Sequence, residues 1–183
     1  MRHATTADLT AQLDHLRAAP AQIGTIELVI RRPAHGEREI LDEGVLDEVD
    51  GMVGDNWLSR ATSRAIETGR HLEAQLNVMS ARMVALLADT PHERAQAGDQ
   101  LYLDLDISVA NLPAGSRIAL GEDAVIEVTA KPHAGCKKFT ARFGEDAMHF
   151  VNSEVGKELR LRGFNARVVS GGVVRPGDKA VRL

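Results

Sequence analysis

Apolar positions along this chain recur with two different periods, and the change from one to the other sets the expected architecture. Near the N-terminus Leu9, Leu13 and Leu16 recur at helical spacing behind Thr5 or Thr6, either of which supplies an N-cap, and Pro20 ends the run before Gly24. The pattern predicts an N-terminal extension helix within residues 1–22. From Thr25 the period shortens to two: TIELVIRR alternates and is rich in β-branched residues, residues 33–36 interrupt it, and a second run, EILDEGVLDEV, follows. The economical reading is two antiparallel strands.

GMVGD then marks a tight turn, and residues 59–75 (SRATSRAIETGRHLEAQ) have weak periodicity and read as a loop with at most one helical turn. LNVMS is expected to be a short strand feeding a helix capped by Ser80, with Met83, Val84, Leu86 and Leu87 on its apolar face. Further strands are predicted at residues 101–105, 117–120, 124–130, 166–169 and 173–181. One long helix is expected from Glu145 to Gly163: acids open it, Phe150, Val151, Val155 and Leu159 form a stripe, and Lys157, Arg160 and Arg162 crowd its end. Many short strands broken by glycine turns, with a few packed helices, predict an α+β fold that is mostly β. It is a compact β-barrel over residues 23–183.

Composition narrows the class. At 183 residues, 44% hydrophobic, 26% charged and 3% aromatic, the chain is long enough for one domain with a full core and reads as soluble. A net charge of -4 argues against nucleic acid as a partner of the whole surface, while leaving room for a local basic pocket. The start lacks the apolar run of a signal peptide, and no stretch reaches the roughly 20 apolar residues that span a bilayer. A cytoplasmic protein without membrane association is expected.

The single cysteine excludes an intrachain disulfide and a structural zinc site of several thiolates. Cys136 sits in KPHAGCKKF, between the strand AVIEVTA and the following helix. A thiol acts as nucleophile or soft-metal ligand only as thiolate, which the nearby Lys137, Lys138, Arg142 and His133 favour. The competing reading is a small buried hydrophobe. A closed zinc site needs four donors, whereas a softer metal that takes one protein thiolate and draws its other ligands from a cofactor is compatible with this segment.

The run from Gly98 to Gly144 resembles the core of the MOSC domain, the module named after the C-terminal part of molybdenum cofactor sulfurases. Gly98, Asp99, Gln100 and Leu101 fit its first motif, Leu112, Pro113, Gly115, Ser116, Arg117, Ile118 and Gly121 its second, and Cys136, Lys138, Phe139, Arg142, Phe143 and Gly144 its third. Upstream, GTIELVIRRPAHGE, GMVGD and LNVMSARMVALL are similar to the family's opening strand, its turn, and a strand and helix. Downstream, GGVVRPGDKAVRL is similar to its closing strand. Two departures stand out. Gly135 replaces a proline that often precedes the cysteine, which predicts a looser loop. Asn56, Trp57 and Leu58 follow the glycine-aspartate turn where a basic residue or histidine is common.

The resemblance implies a stand-alone MOSC-type barrel that binds molybdenum cofactor or carries sulfur, with Cys136 as molybdenum ligand, catalytic thiol or persulfide carrier. It implies Lys138 and Arg142 as phosphate or thiolate partners, Asn77 and Ser80 as polar lining, and His133 as a further cofactor-binding candidate. Some stand-alone relatives take part in reducing N-hydroxylated compounds with an electron-donating partner. The partners implied are therefore the small-molecule cofactor and an electron-donor or sulfur-donor protein. No pyridoxal-phosphate domain is present to generate persulfide. The alternatives are a non-catalytic carrier, or a partner-binding barrel with a structural cysteine. Individual residues keep simpler readings: Arg142 as a surface partner of Glu145 or Asp146, Asp55 and Asp99 as turn-formers, Ser80 as an N-cap, Lys137 as a solvated cation, and Trp57 and Tyr102 as packing.

Overall fold

In the computed structural model, which describes residues 3–183, the N-terminal segment folds as two short helices rather than one, α1 (Thr6–Thr10) and α2 (Leu13–Arg17). Met1 and Arg2 of the expected extension lie outside the described residues. Thr5 is the cap: its hydroxyl accepts the Asp8 N–H while its own N–H donates to the Asp8 carboxylate. Leu9 and Leu16 are buried, so this segment is part of the core rather than an appendage.

Strands β1 (Ile23–Arg31), β2 (Glu39–Ile40), β3 (Gly44–Asp47) and β4 (Gly51–Met52) follow. Residues 58–74 form a 3-10 turn, helix α3 (Ser63–Glu67) and a second 3-10 turn, more structure than the weak periodicity predicted. Then come β5 (Leu76–Ser80), α4 (Ala81–Leu87), α5 (Pro91–Ala95), β6 (Leu101–Asp104), β7 (Arg117–Leu120) and β8 (Ala124–Val128). Helices α6 (Lys137–Phe143), α7 (Glu145–Asn152) and α8 (Glu154–Glu158) precede β9 (Phe164–Ser170), β10 (Gly172–Val174) and β11 (Lys179–Arg182).

The strands close into a ring in the order β1, β11, β7, β8, β9, β5, β6 and back to β1, with β2 attached to β1. Only β5 and β6 run parallel; the other pairings are antiparallel. Alternation fills the barrel: Leu76 and Val78 of β5, and Leu101 and Leu103 of β6, point inward while Met79 and Tyr102 point outward. In β1 a register shift between Ile26 and Leu28 changes the parity, so Ile26 and Val29 both face the interior although they are three apart. A second apolar layer, including Met83, Phe139, Phe143, Phe150 and Val151, packs helices α4, α6 and α7 on the outer face of β1, β5 and β6.

Three expectations are corrected. The run 39–49 is not one strand paired with β1: only β2 pairs there, while β3 joins β4 and β10 in a separate three-stranded sheet. The run 173–181 divides into β10 and β11 around a turn in which the Asp178 carboxylate accepts the Arg175 N–H at 2.7 Å. The helix expected from Glu145 to Gly163 breaks at Ser153, whose extended backbone ends α7 and whose hydroxyl accepts the Gly156 N–H to start α8.

Candidate functional site

The segment that carries Cys136 leaves the barrel after β8 and is tied down at three points before α6 begins. Asn165 of β9 donates to the carbonyls of Lys131 at 3.0 Å and Pro132 at 3.1 Å. His133 Nε2 lies 2.7 Å from Asp99 Oδ1. Asn152, the last residue of α7, accepts the Gly135 N–H and donates to the Gly135 carbonyl. Gly135 is thus held at both backbone groups, against the expectation of a looser loop. A proline there has no N–H for Asn152 to accept.

Asp99 is completely buried, and Arg162 Nη1 reaches its two oxygens at 2.9 and 2.7 Å. Burial alone would raise this carboxyl, but the charges of Arg162 and His133 outweigh it and hold Asp99 below the usual carboxylate range. Burial lowers the His133 pKa, with Arg162 and Arg32 acting in the same direction against the pull of Asp99. A neutral imidazole beside an acceptor-only carboxylate donates through Nε2, which assigns the tautomer. Asp99 is therefore the anchor of a buried cation, whereas Asp55 forms the turn as expected, accepting the Trp57 N–H at 2.9 Å, and also pairs with Arg32.

On the other side Arg32, buried at the end of β1, donates to Asp55 through Nε at 2.8 Å and Nη2 at 2.9 Å. Its Nη1 donates to Asn77 Oδ1 and to the Gly98 carbonyl, each at 3.0 Å. Asn77 in turn donates to Asn165 Oδ1. One polar network therefore runs from Arg32 through β5 and β9 to the cysteine segment.

Between these anchors lies a cavity of ≈ 380 Å³ lined by Cys136. Its cations are Arg32, Arg38, Arg60, Lys138, Arg142 and Arg162, and no carboxylate lines it. Burial lowers the Arg38 pKa, reinforced by Arg142 and Arg32; burial and Arg32 act likewise on Arg60. Among the described residues, the buried side-chain atoms without a hydrogen-bond partner are Arg38 Nε, Asn56 Oδ1, Gln100 Nε2 and Arg162 Nε; all but the Gln100 atom belong to residues lining this cavity. Concentrated positive charge with unspent donors is the chemistry of an anion site. The thiol is exposed, and although Cys136 occupies the N-cap position of α6 its sulfur makes no capping hydrogen bond.

Of the expected site residues, the cavity brings together Cys136, Lys138, Arg142 and Asn77. Arg142 is not paired with Glu145 or Asp146; its Nη1 donates to the Gln96 carbonyl. Ser80 stands apart, buried and capping α4 through the Met83 N–H. His133 faces a separate cavity of ≈ 550 Å³, for which Arg162 forms a common wall. Lys137 is exposed and outside the lining, and Trp57 and Tyr102 are buried. Sequence reasoning missed Arg32, Arg38, Arg60 and Arg162. The only sequence signal for Arg32 is its place at the end of an alternating apolar run.

Among the described residues no cluster of three or more His, Cys, Asp or Glu could hold a metal, so a metal here would draw on the thiol and on ligands from a cofactor. No helix among them is long and apolar enough to cross a membrane.

Residues 67–181 match the family model of the MOSC domain. A search of curated proteins gives no match. Among solved structures, the fold is similar to that of the YuaD protein from Bacillus subtilis, with a TM-score of 0.57 and 17% identity over 86% of this chain and 94% of that one. It is also similar to YiiM from Escherichia coli, with a TM-score of 0.53 and 19% identity over 87% and 69% of the two chains. YiiM from Geobacillus stearothermophilus gives 0.52 and 14% over 89% and 73%. At these identities the likeness speaks for the fold.

Proposed function

The chain belongs to the MOSC domain family, and from that premise we propose that the Cys136 cavity binds molybdenum cofactor, with the thiolate as the protein's ligand to the metal. One observation carries this reading: an exposed thiol borders a cavity lined by cations and no carboxylate, where three buried polar atoms lack partners. The donor set fits the group. A thiolate suits molybdenum, while guanidinium and ammonium groups suit the phosphate of a pterin cofactor. Arg38, Arg60, Lys138 and Arg142 would hold the phosphate, and Asn56 and Asn77 would meet its polar edges. The cofactor, when bound, supplies a two-electron redox centre. The chain's own part is to present the sulfur on a tied loop and to neutralise the ligand's charge. Reduction of N-hydroxylated compounds at this site would draw electrons from a separate donor protein.

Elemental analysis and pterin extraction from protein made in a molybdenum-replete host test the proposal. The parent chain should carry stoichiometric molybdenum and extractable pterin. Cys136→Ser should lose the metal with an unchanged unfolding curve, because serine fills nearly the same volume without a soft thiolate. Equal molybdenum in parent and variant would overturn the reading.

The second reading is a sulfur carrier, favoured by the exposure of the thiol and its lack of a capping hydrogen bond. In that case the Cys136 thiolate attacks the outer sulfur of a donor persulfide, forming a new S–S bond and releasing the donor thiolate. Intact mass after incubation with such a donor would rise by one sulfur atom, and the increment would vanish in Cys136→Ser.

A further inference from the structure

Beside the Cys136 cavity lies another of ≈ 520 Å³, and Arg60 lines both. Most of its wall comes from residues 57–74, the segment whose sequence predicted a loop. The parallel stack of Trp57 on His71, 5.6 Å between ring centroids, braces the two ends of that segment against each other. Arg60, Arg64, Arg70 and Lys131 line this cavity, opposed by a single lining acid, Glu73.

The state of these guanidiniums sets them apart. Other arginines meet an acid or a carbonyl: Arg31 pairs with Glu39, Arg82 with Asp104, Arg167 with Glu127 and Arg175 with Glu43, while Arg94 and Arg142 donate to backbone carbonyls. Among the described residues Arg60, Arg64 and Arg70, together with Arg17 in α2, are the arginines whose side chains have no hydrogen-bond or ion-pair partner. A chain with net charge -4 has acids to spare, yet it leaves these cations unneutralised around one hollow. Arg60 feels the crowding: burial and the neighbouring Arg32 both push its pKa down. Like charges gathered this way repel until a polyanion enters, and guanidinium forks match phosphate oxygens two at a time. Several forks and an ammonium exceed what a monoanion can satisfy, and the volume falls in the range of small-molecule sites.

We propose that this cavity is a pyrophosphate site, taking the diphosphate group of a small organic phosphate on Arg60, Arg64, Arg70 and Lys131. The cavity shares Arg60 with that of Cys136 but does not include the thiol, and Arg64, Arg70 and Lys131 line only the former of the two, so the site stands whether or not Cys136 holds a metal.

Calorimetric titration of the intact chain at low ionic strength with inorganic pyrophosphate, inorganic phosphate and ADP tests it. Pyrophosphate should bind this cavity about tenfold or more tighter than phosphate, because only it engages several forks at once. Arg64 and Arg70 are exposed, so Arg64→Ala and Arg70→Ala should each fold normally and weaken pyrophosphate by about tenfold. Arg64→Lys, which keeps charge but not the fork, should fall between. Cys136→Ser and Lys138→Ala should bind as the parent does. ADP tighter than pyrophosphate identifies a nucleotide as the source of the group; equal affinities identify the diphosphate alone. Absence of pyrophosphate binding, parental affinity in Arg64→Ala and Arg70→Ala, or a loss in Lys138→Ala as large as theirs would overturn the proposal.

Discussion

Asp55 takes Arg32 at both carboxylate oxygens while its own side chain is 0% exposed, so the acid that balances Arg32 is hidden beneath the cavity that Arg32 lines. Removing the cation alone strands a charge that no solvent reaches. Arg32→Ala should therefore cost about 3–5 kcal/mol, and combining it with Asp55→Ala should cost less than the single change predicts. Urea unfolding of the three variants against the parent checks both statements.

The clamp of Asn152 on Gly135 gives a local prediction. Asn152→Ala removes two hydrogen bonds from the residue before Cys136 and should cost about 1–3 kcal/mol. Amide hydrogen exchange at Gly135 should rise while the barrel strands stay protected. Gly135→Pro should produce a comparable loss, because a proline nitrogen has nothing to donate to Asn152. An unchanged exchange rate in Asn152→Ala would show that the loop is held by its other ties.

The Asp99 carboxyl and the His133 imidazole both have folded pKa values below their ordinary ones. For either group the unfolded chain takes up a proton before the folded chain does, so stability is fully present above the unfolded value and is lost as pH falls through the folded one. Stability should hold near neutrality, decline once pH drops below the ordinary histidine value, and decline again in the carboxylate range. Denaturant midpoints across that span measure it. His133→Asn should flatten the upper part of the curve and shrink the lower part without abolishing it, because Arg162 still holds the Asp99 pKa down.

The field at the thiol is open to a direct test. Cations on every side should draw in an anionic reagent, so the rate of Cys136 alkylation by iodoacetate relative to neutral iodoacetamide should exceed that of free cysteine. The excess should disappear as salt shortens the screening length to about 3 Å near 1 M. Lys138→Ala should reduce it at low salt. A ratio equal to that of free cysteine would mean that the cavity's charge does not reach the sulfur.

Gly163 offers a test of the fold rather than the site. Its φ is +104°, and a Cβ there would lie 2.0 Å from the Val78 carbonyl oxygen, where α8 hands the chain to β9 beside β5. Gly163→Ala should cost about 3 kcal/mol or more, since neither backbone can yield without breaking strand pairing.

How far the sequence led depended on whether a feature was local. Alternation in TIELVIRR, RIAL and AVIEV marked barrel strands directly, because the period reports which face is buried. It did not name partners, which is why β3 was expected beside β1 when it lies against β10. The apolar stripe through Phe150, Val151, Val155 and Leu159 looked continuous although Ser153 interrupts the helix, since a cap residue inside a stripe leaves the period intact. In the site, Cys136, Lys138, Arg142 and Asn77 were legible by resemblance. Arg32, Arg38, Arg60 and Arg162 were not: where a long cationic side chain points is decided by carboxylates and cavities distant in the chain. His133, expected to support the thiol's charge, is turned instead to Asp99.

Arg162 lines two chambers, one holding the cysteine and the other lined by His133. Its planar head is fastened to a carboxylate that can neither swing away nor be diluted by solvent. Shortening that residue would enlarge both rooms at once, so the shape of the sulfur's surroundings depends on a side chain anchored away from it, on Asp99.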